Sequence, residues 1–269
     1  MDKGIGDDLR QVGVVTKYEI IKHLRSRRML VFVIIAALLL TLITVLSIVL
    51  DGKLPNDPQD FMETYLTMVD LMIIIGVSLL CASTIASEFE ERTALLMFPR
   101  PIKKTSFFAG KVLACYTICG AVILLYYVIC MVLSLAATGS IDTNVFGSLG
   151  MALMFMLGAG GFALLMSSIF KKGSIAVIVT IAVLLLVFNI VDSMLSLFGT
   201  EPSYSIIYAS KDILNFVSEK ITMDVYLGLP GLEYYRVFYP SHTLAFAIAA
   251  VWATVTTTIS ALIFRSKEF

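Results

Sequence analysis

The chain has 269 residues, of which 58% are hydrophobic and only 15% are charged. A soluble domain carries roughly 25% charged residues, so this chain has too little polar surface for an ordinary soluble enzyme. It has far too much apolar surface for a disordered chain. Its 20 basic and 20 acidic residues balance to zero, which gives no electrostatic reason to expect nucleic-acid binding. The composition indicates a protein that lies in a membrane.

Six stretches are apolar over about 20 residues, the length that an α-helix needs to cross the hydrocarbon core of a bilayer. They are residues 29–50, 65–87, 107–138, 144–170, 173–198 and 241–264. We therefore expect an all-α, polytopic membrane protein with one six-span domain at residues 29–264. An N-terminal segment (1–28), a loop at 88–106, a loop at 199–240 and a tail (265–269) complete the chain.

The segment before the first span has the pattern of an amphipathic helix. Val14, Tyr18 and Ile21 recur at helical spacing. This pattern favours an interfacial helix that lies along the membrane before the chain turns into it, and a soluble N-terminal arm is the alternative. Basic residues that would anchor the chain at lipid headgroups follow here and after the second span: Arg25, Arg27, Arg28, Lys103, Lys104 and Lys111.

The positions of the basic residues predict the orientation. Sixteen of the 20 Lys and Arg residues fall before the first span, between spans two and three or at the start of the third, between spans four and five, or in the tail. Four fall on the opposite side. Because basic loops remain in the cytoplasm, we expect a plasma-membrane protein with both termini cytoplasmic.

The loop at 199–240 is the longest segment expected outside the cell. Its residues 211–221 have the pattern of a short amphipathic helix, which the Gly- and Pro-containing stretch 228–231 would end. Six tyrosines lie in this loop. They predict either an aromatic belt at the outer interface or a gate that contacts the substrate.

Polar residues within the expected spans are few, and they mark a possible transport pathway because charges in a bilayer are unfavourable. They are Asp70, Asn189 and Asp192, and the alternative is that the two acids reach the external interface. Gly158, Gly160 and Gly161 give the fourth span a small-residue face. Such a face permits close helix approach, either within one subunit or at a dimer seam.

The residues of most catalytic and metal sites are scarce. There are two histidines and four cysteines, and neither a metal-ligand pattern nor a catalytic pair is present. Gly110-Lys111 lacks the first Gly and the final Ser or Thr of a phosphate-binding loop. We expect no catalytic residues, no metal and no bound cofactor in this chain.

The loop after the second span holds the most informative pattern. Three acids at Glu88, Glu90 and Glu91 open a short helix, whose N-terminal dipole favours them. An apolar patch at 95–98 follows, and two prolines then end the helix before a basic cluster. An amphipathic helix exposed to the cytoplasm favours a protein partner, and an interfacial turn is the alternative.

This layout resembles the permease subunits of type-2 ABC exporters. Their loop after the second span commonly has Glu, then Gly-Thr, a Leu-rich turn, a Pro-hydrophobic-x-basic element, and Gly-Lys at the start of the third span. The matching residues here are Glu88, Thr93, Leu95, Leu96, Pro101, Ile102, Lys104, Gly110 and Lys111. Arg92 stands where the family usually has Gly.

The resemblance implies a dimer with a second, identical or related permease, bound to two copies of a separate cytoplasmic ATPase that carries ATP and Mg. Residues 88–98 would dock on that ATPase as a coupling helix. The acids would supply complementary charge, and Leu95, Leu96 and Phe98 would supply the apolar anchor, with Thr93 and Pro101 completing the motif. A membrane scaffold that does not transport and a stand-alone secondary transporter are the alternative functions.

Overall fold

The computed structural model describes residues 5–52, 54–90, 103–218, 222–229 and 232–266. Its helices are α1 (Ile5–Leu24), α2 (Arg27–Asp51), α3 (Pro58–Leu66), α4 (Val69–Thr84), α5 (Ala86–Glu90), α6 (Lys104–Thr138), α7 (Val145–Ile169), α8 (Gly173–Ala182), α9 (Phe188–Leu197), α10 (Ile206–Ser210), α11 (Asp212–Ser218) and α12 (His242–Ser266). A π-helical turn, Val183–Val187, joins α8 to α9. The strands are β1 (Met223–Leu229) and β2 (Leu232–Val237).

Six helical segments in these ranges are long and apolar enough to cross a membrane, and they confirm the expected all-α, six-span fold. The segments are Arg27–Val49, Pro58–Glu88, Lys104–Thr138, Val145–Ile169, Gly173–Leu197 and His242–Ser266. The second begins with α3, before the predicted start at residue 65, because Asp57 and Pro58 form a helix start. The Asp57 carboxylate accepts a hydrogen bond from Gln59 N at 2.9 Å, and Pro58 occupies the first turn.

Successive spans run in opposite directions, so the bundle has two ends. We call the end with the α1–α2 corner, α5 and the starts of α6 and α8 the amino-terminal end. The opposite end, with the α2–α3 and α6–α7 turns and the described residues 199–218, 222–229 and 232–241, is the hairpin end. Helix α6 has 35 residues, about 52 Å at the helical rise, which exceeds the roughly 30 Å hydrocarbon core. Its first turns pack against α1, through Gly110 and Lys111.

Helix α7 is the centre of the bundle and packs against α4, α6, α8 and α12. The glycines of its small-residue face account for this close approach. A Cβ at Gly158 would meet Ile206 and the Ala249 carbonyl, and one at Gly160 would meet the Tyr116 ring. The small-residue face thus packs within the subunit, which answers the alternative that the sequence left open.

A small unit of short elements covers the hairpin end. Strands β1 and β2 pair antiparallel, with Met223 opposite Val237, and a bulge lies between Tyr226 and Leu229. Helix α11 falls within the amphipathic segment expected at 211–221, whereas the sequence analysis did not anticipate the strands. Gln59 Nε2 donates a hydrogen bond to the Val217 carbonyl at 2.8 Å, which ties this unit to α3.

The loop tyrosines differ in their surroundings. Tyr208 is buried, and its hydroxyl donates a hydrogen bond to Glu201 Oε1 at 2.6 Å. Tyr204 is half exposed, and its carbonyl accepts a hydrogen bond from Trp252 Nε1 at 2.8 Å. Tyr208 therefore packs inside the hairpin-end unit, while Tyr204 keeps the exposure that an interfacial belt requires.

Candidate coupling site

The segment between α5 and α6 is the one in which the sequence analysis placed most of the coupling residues. Six of them lie outside the described residues: Glu91, Thr93, Leu95, Leu96, Phe98 and Pro101. The two arms that carry this segment, α5 and the first turns of α6, are described. The candidate site is therefore built from those arms and the elements that hold them.

A buried charge cluster joins the two arms to α1. Lys111 of α6 is 1% exposed, and its Nζ lies 2.6 Å from Glu19 Oε1 of α1 and 2.9 Å from Glu88 Oε1 of α5. Lys22 of α1 reaches the same Glu88 oxygen at 2.9 Å from a half-exposed position. The two cations and two carboxylates balance, and three separate helices meet at this point. We call Glu19, Lys22, Glu88 and Lys111 the arm cluster.

The arm cluster changes what was expected of two residues. Lys111 was expected to anchor the chain at lipid headgroups, but it is buried between two carboxylates. Glu88 was expected to present its charge to a partner protein, yet it is 2% exposed and is bound by Lys111 and Lys22. Both differences have one cause: α1 lies against α6 and covers the side chains that a hydropathy profile assigns to the surface.

The start of α5 is fixed by a hydroxyl from the central helix. The helix breaks between α4 and α5, and this break frees the backbone N–H groups of Ile85 and Ala86. Both donate to Ser167 Oγ of α7, at 2.9 and 3.0 Å. Buried N–H groups without partners are unfavourable, so this pair of bonds holds the break against the centre of the bundle.

The end of α5 is bound to the fifth span. Glu90 Oε2 accepts a hydrogen bond from Gly173 N at 3.0 Å, at the start of α8. A carboxylate at a helix N-terminus is stabilised by an unpaired N–H group and by the helix dipole. Glu88 and Glu90 therefore link α5 to two different parts of the bundle.

Helix α1 also contacts the second arm, the start of α6, at two further positions. Lys103, immediately before α6, forms an ion pair with Asp8 at 2.6 Å, and Thr16 Oγ1 donates to the Gly110 carbonyl at 3.2 Å. A Cβ at Gly110 would lie 2.7 Å from the Val15 side chain. The backbone of α6 thus approaches α1 so closely that only Gly fits at position 110 without a shift.

Beyond the arm cluster, a row of polar and sulfur-containing side chains leads from α1 towards α4. His23 Nε2 lies 4.0 Å from Glu19 Oε2 and 3.7 Å from Cys115 Sγ. Thr84 Oγ1 is 3.0 Å from the same sulfur. Cys115 is a buried free cysteine, and these contacts tie α1, α4 and α6 together at one level.

The remaining expected anchors lie at the amino-terminal end. Arg25, Arg27 and Lys103 are exposed, and Arg28 and Lys104 are partly exposed. The apolar residues Leu9, Val14, Tyr18, Ile21 and Leu24 leave α1 with an exposed apolar surface. An amphipathic helix with its other side bound to the bundle has the distribution that an interfacial location requires.

The expected pathway residues lie towards the other end of the bundle. Asp192 is 4% exposed, and its Oδ2 accepts a hydrogen bond from Ser205 Oγ at 2.7 Å. Asp70 lines a cavity of about 180 Å³ that Lys211 also borders. Asn189 is exposed, and its Nδ2 donates to the Leu185 carbonyl at 2.9 Å. The structure therefore groups the two acids with the hairpin-end unit and leaves Asn189 outside it.

Lys211 links the environments of the two acids. Burial lowers the pKa of Lys211, and the negative charge of Asp192 acts in the opposite direction. Lys211 did not figure in the expected pathway, because its position in a loop gives no sign that it lies close to residues of two spans.

Sequence reasoning also missed Glu19, Lys22 and Ser167. The available signal was on α1, where Glu19 and His23 are spaced by four residues and fall on one side of the helix. Charged residues on one side of an amphipathic helix are usually solvated, and only the packing of α1 on α6 shows that Glu19 is buried.

Proteins of similar sequence point to one family. The family model described as "ABC-2 family transporter protein" matches residues 16–192, which include Glu19, Glu88 and Lys111. The "Uncharacterized membrane protein YdbK" of Bacillus subtilis (strain 168) is 23% identical over 190 residues, which cover 67% of this chain and 76% of that protein.

Proposed function

This chain belongs to the ABC-2 family of transporter proteins, and from that premise we propose that it is the permease of an ATP-driven exporter. In this proposal two permease copies, identical or related, form the substrate pathway in the plasma membrane. Two separate cytoplasmic ATPase subunits bind ATP and Mg and drive the change between inward-open and outward-open states. The loop at 88–106 receives the force from the ATPase.

The arm cluster is the observation that carries this proposal. A loop that transmits force needs both of its arms fixed to elements that move with the membrane domain. Here Glu88 and Lys111 hold the arms to each other at 2.9 Å and to Glu19 of α1 at 2.6 Å. A push on residues 91–102 would therefore move α1, α5 and α6 together rather than bend the loop alone.

The contacts of α5 extend this argument to the rest of the bundle. Ser167 connects its first residues to α7, and Glu90 connects its last residue to α8. The arm cluster thus holds the loop, and the α5 contacts pass its displacement to two spans. In this scheme Glu88 positions the loop, and the docking surface consists of the residues that follow it.

The distribution of charge supports the orientation in this proposal. The described basic loops lie at the amino-terminal end, with α1 and the arm cluster, and that end faces the cytoplasm if the positive-inside rule holds. Both termini and the ATPase would then lie on the same side of the membrane. The hairpin-end unit would face the exterior.

The decisive experiment is co-purification with the ATPase. We expect the double variant Leu96→Asp/Phe98→Asp to lose the ATPase subunit, because it places two charges in the proposed apolar anchor. Phe198→Asp, an exposed position (79%) at the hairpin end, is the matched control and retains the ATPase. A complex that forms normally with the double variant, with unchanged permease-stimulated ATP hydrolysis, refutes the coupling role of the loop.

A second variant separates docking from transmission. Glu88→Gln leaves the proposed docking residues intact but weakens the link between the arms. We expect it to retain the ATPase while the permease-dependent stimulation of ATP hydrolysis falls. Equal stimulation by the variant and the unaltered protein contradicts a transmitting role for the arm cluster.

A further inference from the structure

The corner between α1 and α2 encloses a cavity of about 240 Å³ at the amino-terminal end. Three cationic side chains line it, those of Lys22, Arg27 and Arg28, together with His23 and a single carboxylate, Glu19. Lys111 already binds that carboxylate at 2.6 Å, so the cavity has an excess of positive charge. Ser26, Ser83, Thr84 and Ser87 complete its wall.

The two arginines are available to a ligand. Lys22 is bound to Glu88, whereas neither Arg27 nor Arg28 has an ion-pair partner among the residues that the structure describes. Glu90 of α5 lies close to Arg28, since Glu90 Oε2 and Arg28 Nη2 are each 3.6 Å from a Cβ placed on Gly173, but Glu90 Oε2 accepts a hydrogen bond from Gly173 N at 3.0 Å. A guanidinium presents a planar set of donors that matches the oxygens of a phosphate.

The backbone adds to this attraction. Arg27 and Arg28 are the first two residues of α2, a helix of 25 residues with no acid in its first turn. The N–H groups of a first turn have no partner within the helix, and the helix dipole is positive there. Ser26 Oγ accepts only the third N–H, that of Met29, at 3.2 Å. Side chains and backbone therefore attract an anion to the same place.

The surroundings of the cavity favour a lipid over a soluble anion. It lies where α1, with its exposed apolar surface, turns into the first span. The next residues of α2 are apolar and exposed: Leu30 is 62%, Val31 44% and Ile34 61% exposed. An acyl chain would lie along these residues while the phosphate remains at the level of the arginines. Basic cavities between helices at the cytoplasmic surface have the chemistry that binds acidic lipid headgroups.

We infer that this cavity binds the phosphate of an anionic phospholipid, held by Arg27, Arg28 and the start of α2. The site depends on insertion of the six helices in a membrane and does not depend on the ATPase. Glu19 and Lys22 belong to the arm cluster and also line the cavity. His23, which lies beside Glu19, lines the cavity as well. A bound lipid would thus contact the elements that hold the loop.

Lipid binding to the purified chain, measured by native mass spectrometry with phosphatidylglycerol and phosphatidylcholine, tests the inference. We expect one phosphatidylglycerol to bind more tightly than phosphatidylcholine. Arg27→Gln/Arg28→Gln should weaken phosphatidylglycerol binding by about tenfold or more, as the loss of charge-assisted hydrogen bonds predicts. Arg10→Gln/Lys17→Gln removes two charges from exposed positions of α1 outside the cavity wall, and it should change binding by less than about threefold.

Three results overturn the inference. Equal weakening by the two double variants shows general attraction to a charged surface. Equal affinity of the unaltered protein for the two lipids shows that the headgroup charge is not recognised. Displacement of phosphatidylglycerol by inorganic phosphate at an equal concentration shows a site for a free anion. The last two comparisons use the unaltered protein, so they decide the question even if the Arg27→Gln/Arg28→Gln variant does not fold.

Discussion

Lys111 and Glu88 stand on opposite arms of the segment 91–102, and their side chains meet at 2.9 Å in the interior of the protein. Lys111 also binds Glu19, so one ammonium group contacts two carboxylates, and Lys22 supplies the second positive charge. Removal of one partner from a buried pair leaves a charge without compensation, whereas an exposed pair contributes little. The stability of the packing among α1, α5 and α6 should therefore depend more on the buried Lys111 than on the half-exposed Lys22.

This inequality predicts an order of stability among three variants. Lys111→Met leaves the buried carboxylate of Glu19 without its lysine and that of Glu88 with only the half-exposed Lys22, and it should lower the free energy of unfolding by about 3–5 kcal/mol. Glu88→Gln leaves Lys111 paired with Glu19 and should cost about 1–3 kcal/mol. Lys22→Gln, whose lysine is half exposed, should cost at most about 1 kcal/mol. Thermal or denaturant unfolding in detergent measures the order, and an equal loss in all three contradicts the burial argument.

The six spans could be predicted because a run of about 20 apolar residues is a signal along the chain itself. The arm cluster could not, because Glu19 and Lys111 are 92 positions apart and their contact depends on how α1 packs on α6. Glu88 illustrates the same point: its motif was found, but its burial was not. Strand β1 was not predicted, because the Gly- and Pro-containing stretch 228–231 indicated only the end of a helix.

Alanine substitutions at two glycines of α7 should change the stability of the fold in opposite directions. A Cβ at Gly161 would overlap Thr256 Oγ1 and lie 2.9 Å from Thr257 Oγ1, whereas a Cβ at Gly150 would lie 3.8 Å from the Phe246 ring, an ordinary contact. Gly161→Ala should destabilise the fold by about 1–3 kcal/mol through overpacking against α12. Gly150→Ala should be neutral or stabilising by up to about 1 kcal/mol, because Ala favours a helix. Unfolding of both variants in the same detergent checks the signs, and destabilisation of both contradicts the packing described.

Ser205 connects the fifth span to the hairpin-end unit through two roles. Its hydroxyl donates to Asp192 Oδ2 at 2.7 Å and accepts from Ile207 N at 3.2 Å. The other carboxylate oxygen of Asp192 has no hydrogen-bond partner in the described part of the chain. Ser205→Ala thus leaves the buried carboxylate unsatisfied and removes a helix cap, at a cost of about 1–3 kcal/mol.

Two comparisons identify the source of that loss. Ser203→Ala, at an exposed position two residues away, should change stability by less than about 0.5 kcal/mol. Asp192→Asn should partly offset Ser205→Ala, because a neutral amide is less unfavourable to bury than a carboxylate. The double variant is then less destabilised than the sum of the two single variants. Simple additivity would show that the bond between Ser205 and Asp192 is not the reason for the loss.

Asp212 predicts how the hairpin-end unit responds to pH. It is buried, and its Oδ1 lies 2.8 Å from His242 Nδ1. Burial raises the pKa of the Asp212 carboxyl above its ordinary value of 3.8, although the hydrogen bond and charge of His242 act in the opposite direction. A carboxyl with a higher pKa in the folded chain stabilises the fold fully below its unfolded pKa. That contribution is lost as the pH rises through the folded pKa.

The apparent unfolding temperature of the unaltered protein should therefore contain a component that falls as the pH rises above about 4. Asp212→Asn removes the titrating group and should abolish that component, so the variant gains stability relative to the unaltered protein as the pH increases. Asp60→Asn, which removes an exposed carboxylate of α3 at the same end, is the control for the loss of one negative charge. Unfolding curves of the three proteins across the acidic range provide the comparison. A constant difference between Asp212→Asn and the unaltered protein at every pH would mean that the Asp212 carboxyl keeps the same pKa on folding, and that its hydrogen bond with His242 fully balances its burial.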